Sequence, residues 1–140
     1  MKGINLHCQG ILRRTVTEDM TARRMKSGSL RVLATPAVVA LMEEAACEAI
    51  AYFMEDGETT VGTSMSIDHV APSPVGKKIR VEADVQTFSK REIVFHCTAY
   101  DEDTCALIAS GTHKRVAVNG IRFQEKADKM LEAGNAVAAT

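Results

Sequence analysis

The chain has 140 residues, of which 46% are hydrophobic and 25% charged, and its formal net charge is −1. This length favours a single domain with its own core, and the near-zero charge predicts no binding surface for nucleic acid or for an anionic membrane. No apolar run approaches the ~20 residues of a membrane-spanning helix, and the N-terminus lacks the apolar stretch of a signal peptide, so we expect a cytoplasmic protein.

Four cysteines are spread along the chain without the spacing that is typical of zinc ligands: Cys8, Cys47, Cys97 and Cys105. In the cytosol such thiols are expected to stay reduced. Free cysteine is often buried and packs as a small apolar side chain. We therefore predict core positions for these residues, with no metal site.

The first third of the chain leads into the clearest helix of the sequence. Residues 10–22 alternate weakly in polarity, which predicts a first strand, and residues 23–34 ("RRMKSGSLRVLA") are typical of a loop or flap. Residues 35–54 ("TPAVVALMEEAACEAIAYFM") are rich in good helix formers. Thr35 suits the N-cap of this helix, and Pro36 suits its first position.

The remainder of the chain predicts an antiparallel sheet. Four segments have the alternation or the composition of strands: 59–70, 77–89, 92–102 and 105–118. A short helix over 122–133 and a frayed tail at 130–140 complete a single domain that spans 1–140. A strand, a long apolar helix, four strands and a tail helix in this order are typical of an α+β fold with one sheet.

A glutamate lies inside an apolar stripe of the long helix. On a helical wheel, every side chain within about 60° of Glu43 is apolar: Pro36, Val39, Ala40, Ala46, Cys47, Ile50 and Met54. The helix is apolar nearly all round, which predicts that the sheet wraps it. A buried carboxylate is costly unless it is paired or protonated, so Glu43 is a candidate general base or acid. The alternative is that Glu43 lies under a loop, where it reaches water or caps a backbone group.

A histidine ends the apolar row of the strand predicted over 59–70. Alternate residues share a face of a strand, so one row consists of Val61, Thr63, Met65, Ile67 and His69. The opposite row contains Gly62, Ser64, Ser66 and Asp68. A histidine at the end of a buried row, just before a proline-rich break, is either a core residue with satisfied hydrogen bonds or a site residue.

Three segments together resemble one protein family. They are "LATPAVVALMEEAAC", "VGTSMSIDHVAPSPVGKKIRVEADV" and "ASGTHKRVAV", and in this order they are similar to the fluoroacetyl-CoA thioesterase family of the hotdog-fold superfamily. The resemblance covers about residues 30–118. It implies a hotdog fold, in which a curved antiparallel sheet wraps a long central helix. It also implies a homodimer or a higher homo-oligomer with acyl-CoA sites at the subunit interface, and no cofactor besides the CoA part of the substrate.

The resemblance carries a candidate site onto five residues. It implies catalytic roles for Thr35 in "ATPA", Glu43 in "LMEEA" and His69 in "IDHVAPSPVG", and substrate-binding roles for Gly62 in "VGT" and Arg115 in "GTHKR". Glu43 can activate water or attack the thioester carbonyl. Thr35 can attack or place the water, and His69 can orient either residue or protonate the leaving thiolate. The N–H of Gly62 can approach the thioester oxygen closely.

Four of these residues also have a structural interpretation that the sequence leaves open. Thr35 can be a helix cap, His69 a core residue, Gly62 a bulge and Arg115 a solvated charge at a sheet edge. Thr35 and Glu43 are also eight residues apart, which is about 12 Å along a straight helix. We therefore expect that Thr35 lies on a loop that curls back, or that one of the two meets partners from another subunit.

The flap departs from the family pattern. The resemblance implies that substrate choice depends on an aromatic lid ahead of the catalytic threonine, but residues 23–34 contain no Phe, Tyr or Trp. A lid of Met25, Leu30, Val32 and Leu33 predicts an acyl group other than fluoroacetyl, or a looser pocket. We therefore expect an acyl-CoA thioesterase of unspecified acyl group. The alternative is a non-catalytic hotdog module that binds acyl-CoA.

Overall fold

The computed structural model describes the backbone of residues 1–139 and the side chains of residues 1–132. In chain order its elements are β1 (Gln9–Thr15), α1 (Ala22–Met25), α2 (Thr35–Ile50), β2 (Glu58–His69), β3 (Lys78–Ser89), β4 (Glu92–Asp101), β5 (Leu107–Asn119) and α3 (Gly120–Ala139). Short 3-10 turns lie at Glu18–Met20 and Ala51–Phe53. The predicted long helix and the four predicted strands after it are confirmed. The predicted first strand over 10–22 ends early, because the chain turns at Glu18–Met20.

The five strands form one antiparallel sheet in the order β1-β3-β4-β5-β2. β1 and β2 are therefore the edges of the sheet. β2 is 12 residues long, and within the described part of the chain no strand pairs with its outer side. A long edge strand presents unpaired N–H and C=O groups, which makes it a template for pairing with another chain.

Helix α2 packs on one face of the sheet. Its buried side chains are Ala37, Val38, Leu41, Met42, Ala45, Ala46, Ala49 and Ile50, and they meet the inner rows of the strands in one core. Glu44 and Glu48 are exposed, whereas Val39, Glu43 and Cys47 are partly exposed. The side of α2 that carries Glu43 is thus less buried than the wheel predicted, because the five-stranded sheet covers α2 on one side only.

Helix α2 begins one residue earlier than predicted. Ala34 is its N-cap, with an extended φ of −75° and ψ of 144°, and Thr35 is already helical. The N–H of Ala34 donates to the carbonyl of Met20, which keeps the chain extended up to that point. The prediction that Thr35 caps the helix is therefore wrong. Its hydroxyl is left available for another partner.

A β-bulge in β2 changes the face that Gly62 occupies. The pairing of β2 with β5 shifts between Gly62 and Ser64, so one residue of β2 is extra. Gly62 pairs with Arg115 and Met65 pairs with His113, two residues that share a face of β5. The prediction that Gly62 shares a row with Ser64 is therefore wrong, since simple alternation takes no account of an extra residue.

The flap before α2 contains the single turn α1 and is fastened at both ends. The N–H of Ala22 donates to the carbonyl of Val32, across the base of the flap. Glu18 forms ion pairs with Arg31 at 2.7 Å and Arg23 at 2.9 Å, which lie on opposite arms of the flap. These hydrogen bonds, the one from Arg31 foremost, hold the pKa of Glu18 below its usual value. The hydrogen bond and the ion pairs therefore hold the two arms of the flap together.

The C-terminal helix α3 extends from Gly120 to Ala139, beyond both ends of the helix predicted over 122–133. It begins beside β2, where the N–H of Gly120 donates to the carbonyl of Gly57. Among the helices of the described residues, none has the length and apolar character needed to cross a membrane. The cytoplasmic location and the single-domain organisation stay predictions.

Candidate active site

The Thr35 hydroxyl and the His69 ring meet at one end of α2. Thr35 is the first residue of α2 and His69 is the last residue of β2, and Thr35 Oγ1 lies 2.8 Å from His69 Nδ1. A neutral imidazole that carries its proton on Nε2 can accept the hydroxyl proton at Nδ1. Nε2 is buried, and no group in the described part of the chain hydrogen-bonds to it. The pair therefore has the geometry of an alcohol beside a base.

A cavity of about 270 Å³ adjoins this pair. Its other lining residues come from the flap and from the segment after β2: Ala22, Ser27, Val32, Leu33, Ala34, Val70, Ala71 and Pro72. These side chains are small and mostly apolar, and none of them is aromatic or charged. The cavity therefore suits a small, uncharged group.

Only part of the predicted lid lines this cavity. Val32 and Leu33 do so, but Met25 and Leu30 are 42% and 67% exposed. The prediction is wrong for these two residues, because α1 and the turn after it leave their side chains in solvent. Ala22 and Ser27 take their places beside the cavity.

A second polar cluster surrounds Glu43, two turns into α2. Arg115 Nη1 donates to Glu43 Oε2 at 3.2 Å; the Arg115 side chain is 8% exposed and that of Glu43 is 44% exposed. Arg115 is anchored to β2, since its Nε donates to Thr60 Oγ1 at 2.9 Å and its Nη2 to the Thr60 carbonyl at 3.0 Å. The solvated-charge interpretation of Arg115 is therefore wrong. Its predicted contact with substrate stays a prediction.

His113 joins this cluster from β5. Its Nδ1 lies 2.8 Å from the carbonyl oxygen of Ser64, and its Nε2 lies 3.1 Å from Arg115 Nη1. The ring is 1% exposed and stacks on Phe95 at a centroid distance of 6.0 Å. Burial lowers the pKa of His113, and Arg115 lowers it further, whereas the bond to Ser64 and the charge of Glu43 act in the opposite direction.

Gly62 lies directly against the Glu43 carboxylate. A Cβ at this position would be 2.7 Å from Glu43 Oε2 and 3.2 Å from Arg115 Nη1. Any side chain here would therefore displace the carboxylate. The bulge in β2 is what turns Gly62 toward this cluster, so the bulge and site interpretations of Gly62 are compatible.

The five predicted residues form two clusters rather than one. Thr35 and His69 make the first cluster, and Glu43, Gly62 and Arg115 make the second. The clusters are about 12 Å apart along α2 and about 20 Å apart along β2. Since Thr35 is helical, it does not lie on a loop that curls back. The other expectation, a contact with another subunit, stays a prediction.

His113 and Thr60 were not predicted from the sequence as members of the second cluster. A signal was present for His113, because it lies two residues from Arg115 and shares its strand face. No signal was present for Thr60, since its bonds to Arg115 depend on the register between β2 and β5.

Several known proteins are similar to this chain. The model of the family described as fluoroacetyl-CoA-specific thioesterase (FlK) matches residues 16–120. The fluoroacetyl-CoA thioesterase of Streptantibioticus cattleyicolor is 33% identical over 103 residues, which are 74% of this chain and 73% of that protein. The residues matched by the family model include the two clusters described above.

Solved structures agree with the fold. A crystal structure of a mutant of the fluoroacetyl-CoA-specific thioesterase FlK superposes with a TM-score of 0.85 at 26% identity, over 93% of this chain and 99% of that one. A Thermus thermophilus hypothetical protein, described as a thioesterase superfamily member, superposes with a TM-score of 0.89 at 26% identity, over 97% and 99% of the two chains. The predicted α+β hotdog fold is confirmed.

Proposed function

Because the chain belongs to the fluoroacetyl-CoA-specific thioesterase family and is a thioester hydrolase, we propose that it hydrolyses acyl-CoA to a free acid and CoA with Thr35, Glu43 and His69 as catalytic residues. The observation that carries this proposal is the 2.8 Å hydrogen bond between Thr35 Oγ1 and His69 Nδ1 beside an apolar cavity. Gly62 and Arg115 act as substrate-binding residues in this proposal.

Each residue has a role that its surroundings allow. Glu43 is held by Arg115 on one side and open on the other, so it activates a water molecule or attacks the acyl carbonyl. Thr35 attacks the acyl carbonyl itself or positions that water. The bond between the carbonyl carbon and sulfur breaks as a C–O bond forms, and His69 passes the proton that it accepts from Thr35 or from water to the leaving thiolate. Where Glu43 or Thr35 attacks the carbonyl itself, water then hydrolyses the acyl-enzyme to the free acid. The N–H of Gly62 supports the oxyanion, and no cofactor takes part.

We further propose that the acyl group is uncharged and that fluoroacetyl is not preferred. Selection for one fluorine atom requires a group that contacts it, and a carboxylate on the acyl chain requires a cation that pairs with it. Apart from His69, the residues that line the cavity in the described structure are small, and they include no Phe, Tyr, Trp, Lys or Arg. This supports a pocket that accepts short apolar acyl chains with little selectivity between them.

A free-thiol release assay tests the reaction and its selectivity together. The substrates are acetyl-, fluoroacetyl-, butanoyl-, phenylacetyl- and malonyl-CoA. We expect kcat/KM for fluoroacetyl-CoA within about threefold of that for acetyl-CoA, and at least about 100-fold less for malonyl-CoA, whose carboxylate lacks a cation in the cavity. Cys105 is exposed rather than in the core as predicted, so a blank with protein alone corrects for its reaction with the thiol reagent.

The same assay distinguishes the alternatives. A large preference for fluoroacetyl-CoA over acetyl-CoA would contradict the proposed acyl selectivity and leave the reaction in place. Turnover of none of the substrates, together with calorimetric binding of a non-hydrolysable thioether analogue, would favour the alternative of a non-catalytic acyl-CoA-binding module.

We also propose a homodimer in which each site takes residues from both chains. The free edge of β2 supports this arrangement. Antiparallel pairing of two β2 strands about a twofold axis near Met65 would set His69 of one chain close to the partner's Gly62. The cluster of Thr35 and His69 would then approach the partner's Glu43. This pairing would close the gap that separates the two clusters within one chain.

Two inactive variants, co-expressed with different affinity tags, test this arrangement. Thr35→Ala and Glu43→Gln are each expected to be inactive alone. In a mixed dimer, one of the two sites combines an intact Thr35 with the intact Glu43 of the other chain. Random pairing makes half of the dimers mixed, so the preparation should recover about a quarter of wild-type kcat.

A matched pair controls for nonspecific rescue. Thr35→Ala co-expressed with His69→Asn should stay inactive, because both changes fall in the cluster of Thr35 and His69. In a mixed dimer, each copy of that cluster carries one of the two substitutions, so neither copy is intact. Lack of recovery in the first pair would show that the site is built from one chain. A monomer in light scattering would overturn the dimer itself.

A further inference from the structure

We propose that His113 is a positioning residue that aims the guanidinium of Arg115 at Glu43 and does so only in its neutral form. The proposal rests on the proposed hydrolysis, because Glu43 is the catalytic group on which His113 acts through Arg115. It deepens that function by adding a residue that touches neither Thr35 nor the cavity beside it.

The hydrogen bonds of His113 determine its protonation state. The Ser64 carbonyl oxygen only accepts, so Nδ1, at 2.8 Å from it, carries a proton. Arg115 Nη1 only donates, so Nε2, at 3.1 Å from it, accepts. Both contacts are satisfied together by one form alone, the neutral ring with its proton on Nδ1. Stacking on Phe95 at 6.0 Å holds the plane of the ring.

Arg115 needs this acceptor to face Glu43. Its guanidinium is a planar fork of donors, and Thr60 binds two of its nitrogens, Nε and Nη2. The third nitrogen, Nη1, is shared between Glu43 Oε2 at 3.2 Å and His113 Nε2 at 3.1 Å. Without the His113 acceptor, one buried N–H of Nη1 would lose its partner. Burial of an unsatisfied donor is costly, so the guanidinium would tilt on its two contacts with Thr60 to recover a partner, and its bond to Glu43 would weaken.

Protonation of His113 would disrupt the arrangement in two ways. It would remove the lone pair at Nε2, and it would place a second positive charge beside Arg115. The charged groups that face the ring are Arg115 on its own strand and Glu43 on α2, while β2 contributes the Ser64 carbonyl and β4 the Phe95 ring. Burial keeps the pKa of His113 below its usual value, so the ring remains an acceptor at neutral pH.

Two substitutions separate the two hydrogen bonds of the ring. In His113→Gln, the side-chain oxygen reaches toward the place of Nε2 and can accept from Arg115. In His113→Asn, the shorter amide can donate to Ser64 but does not reach Arg115. Both remove a buried aromatic ring, so we expect a similar loss of stability. The expected kcat is within about threefold of wild type for Gln and about 10- to 100-fold lower for Asn; KM should rise less than kcat falls in the Asn variant, since Arg115 is also a proposed substrate-binding residue.

The dependence of stability on pH gives a readout that needs no activity. Because the folded pKa of His113 lies below the unfolded value of about 6.5, the unfolded chain takes up the proton first as pH falls. The neutral ring of His113 therefore makes its full contribution to the unfolding free energy above about pH 6.5. This contribution is lost as the pH falls through the folded pKa. Wild type should therefore lose more unfolding free energy than His113→Gln between neutral pH and about pH 5.

The outcomes separate this proposal from the proposed function. Equal loss of kcat in the Gln and Asn variants, or a rise in KM with no loss of kcat, would overturn the positioning role, and the latter would indicate that Arg115 serves substrate binding alone and does not support Glu43. The same acid destabilisation in wild type and His113→Gln would overturn the requirement for a neutral ring. If the wild-type protein hydrolyses no acyl-CoA, the proposed function is refuted, and the positioning role with it. The pH comparison would still decide whether the His113 ring is held neutral in the folded protein.

Discussion

The substitution Glu43→Gln is expected to lower kcat for thioester hydrolysis by roughly a thousandfold while the fold stays intact. Glutamine has nearly the same size as glutamate and keeps an oxygen that can accept from Arg115 Nη1, which lies 3.2 Å from Oε2 in the wild type. It lacks the basicity that activates water and the charge that attacks a carbonyl. The measurements are kcat by free-thiol release and the thermal unfolding midpoint of the same sample.

The neighbouring Glu44→Gln is the matched control. Glu44 is exposed and forms a surface ion pair with Arg14, an interaction that contributes about 0–1 kcal/mol to stability. Its kcat should equal that of wild type. Retention of most of the activity in Glu43→Gln would remove Glu43 from the catalytic residues. Equal losses in both variants would point to damage to α2 rather than to chemistry.

The substitution Gly10→Ala is expected to cause the largest loss of stability from a single added methyl group. A Cβ at Gly10 of β1 would lie 1.9 Å from the carbonyl oxygen of Ala45 and 2.8 Å from the N of Ala49. Both are backbone atoms of α2, so the helix itself must move. Overpacking of this kind costs about 3 kcal/mol or more. For a chain of this size the unfolding midpoint should fall by about 10 °C.

Gly120→Ala is the control for Gly10→Ala. A Cβ at Gly120 would meet nothing closer than Thr59 Cγ2 at 3.4 Å, an ordinary van der Waals contact. Its unfolding midpoint should stay close to that of wild type in differential scanning calorimetry. If Gly10→Ala unfolds at the same temperature as this control, α2 is free to move away from the sheet, and the position of Glu43 is less tightly held than the structure indicates.

The strands after α2 were predictable from the sequence because their signal is local. The alternation in 77–89 corresponds to β3 at Lys78–Ser89, where Ile79, Val81, Ala83 and Val85 are buried. A half-buried antiparallel strand repeats its burial every two residues, so a short window contains the evidence. The end of the first strand was missed, since the turn at Glu18–Met20 interrupts a weak pattern.

The helix shows where a local pattern stops being sufficient. The wheel identified Glu43 as a carboxylate among apolar neighbours, and the structure pairs it with Arg115. The wheel placed it in a buried stripe, yet its side chain is 44% exposed in the single chain. Periodicity shows which residues share a face of a helix. It does not show how far the sheet reaches around that helix.

Positions within the candidate site depended on register. Gly62 lies against Glu43 only because the bulge in β2 reverses the alternation that the sequence displays. Arg115 is buried because β2 places Thr60 beside it. One extra residue in a strand exchanges its two faces. A glycine in the strand made a bulge at Gly62 one of the interpretations, but the sequence did not show whether the bulge was present.

The residue pattern alone was enough to establish the α+β class, the long helix, the strand order along the chain and the resemblance that carries Thr35, Glu43, His69, Gly62 and Arg115. These features are local, since periodicity and motifs involve residues close together along the chain. Folding in three dimensions established that the five residues form two clusters and that His113 joins the second. Distances between residues far apart in sequence are set by strand register and helix packing, which are collective properties of the whole chain.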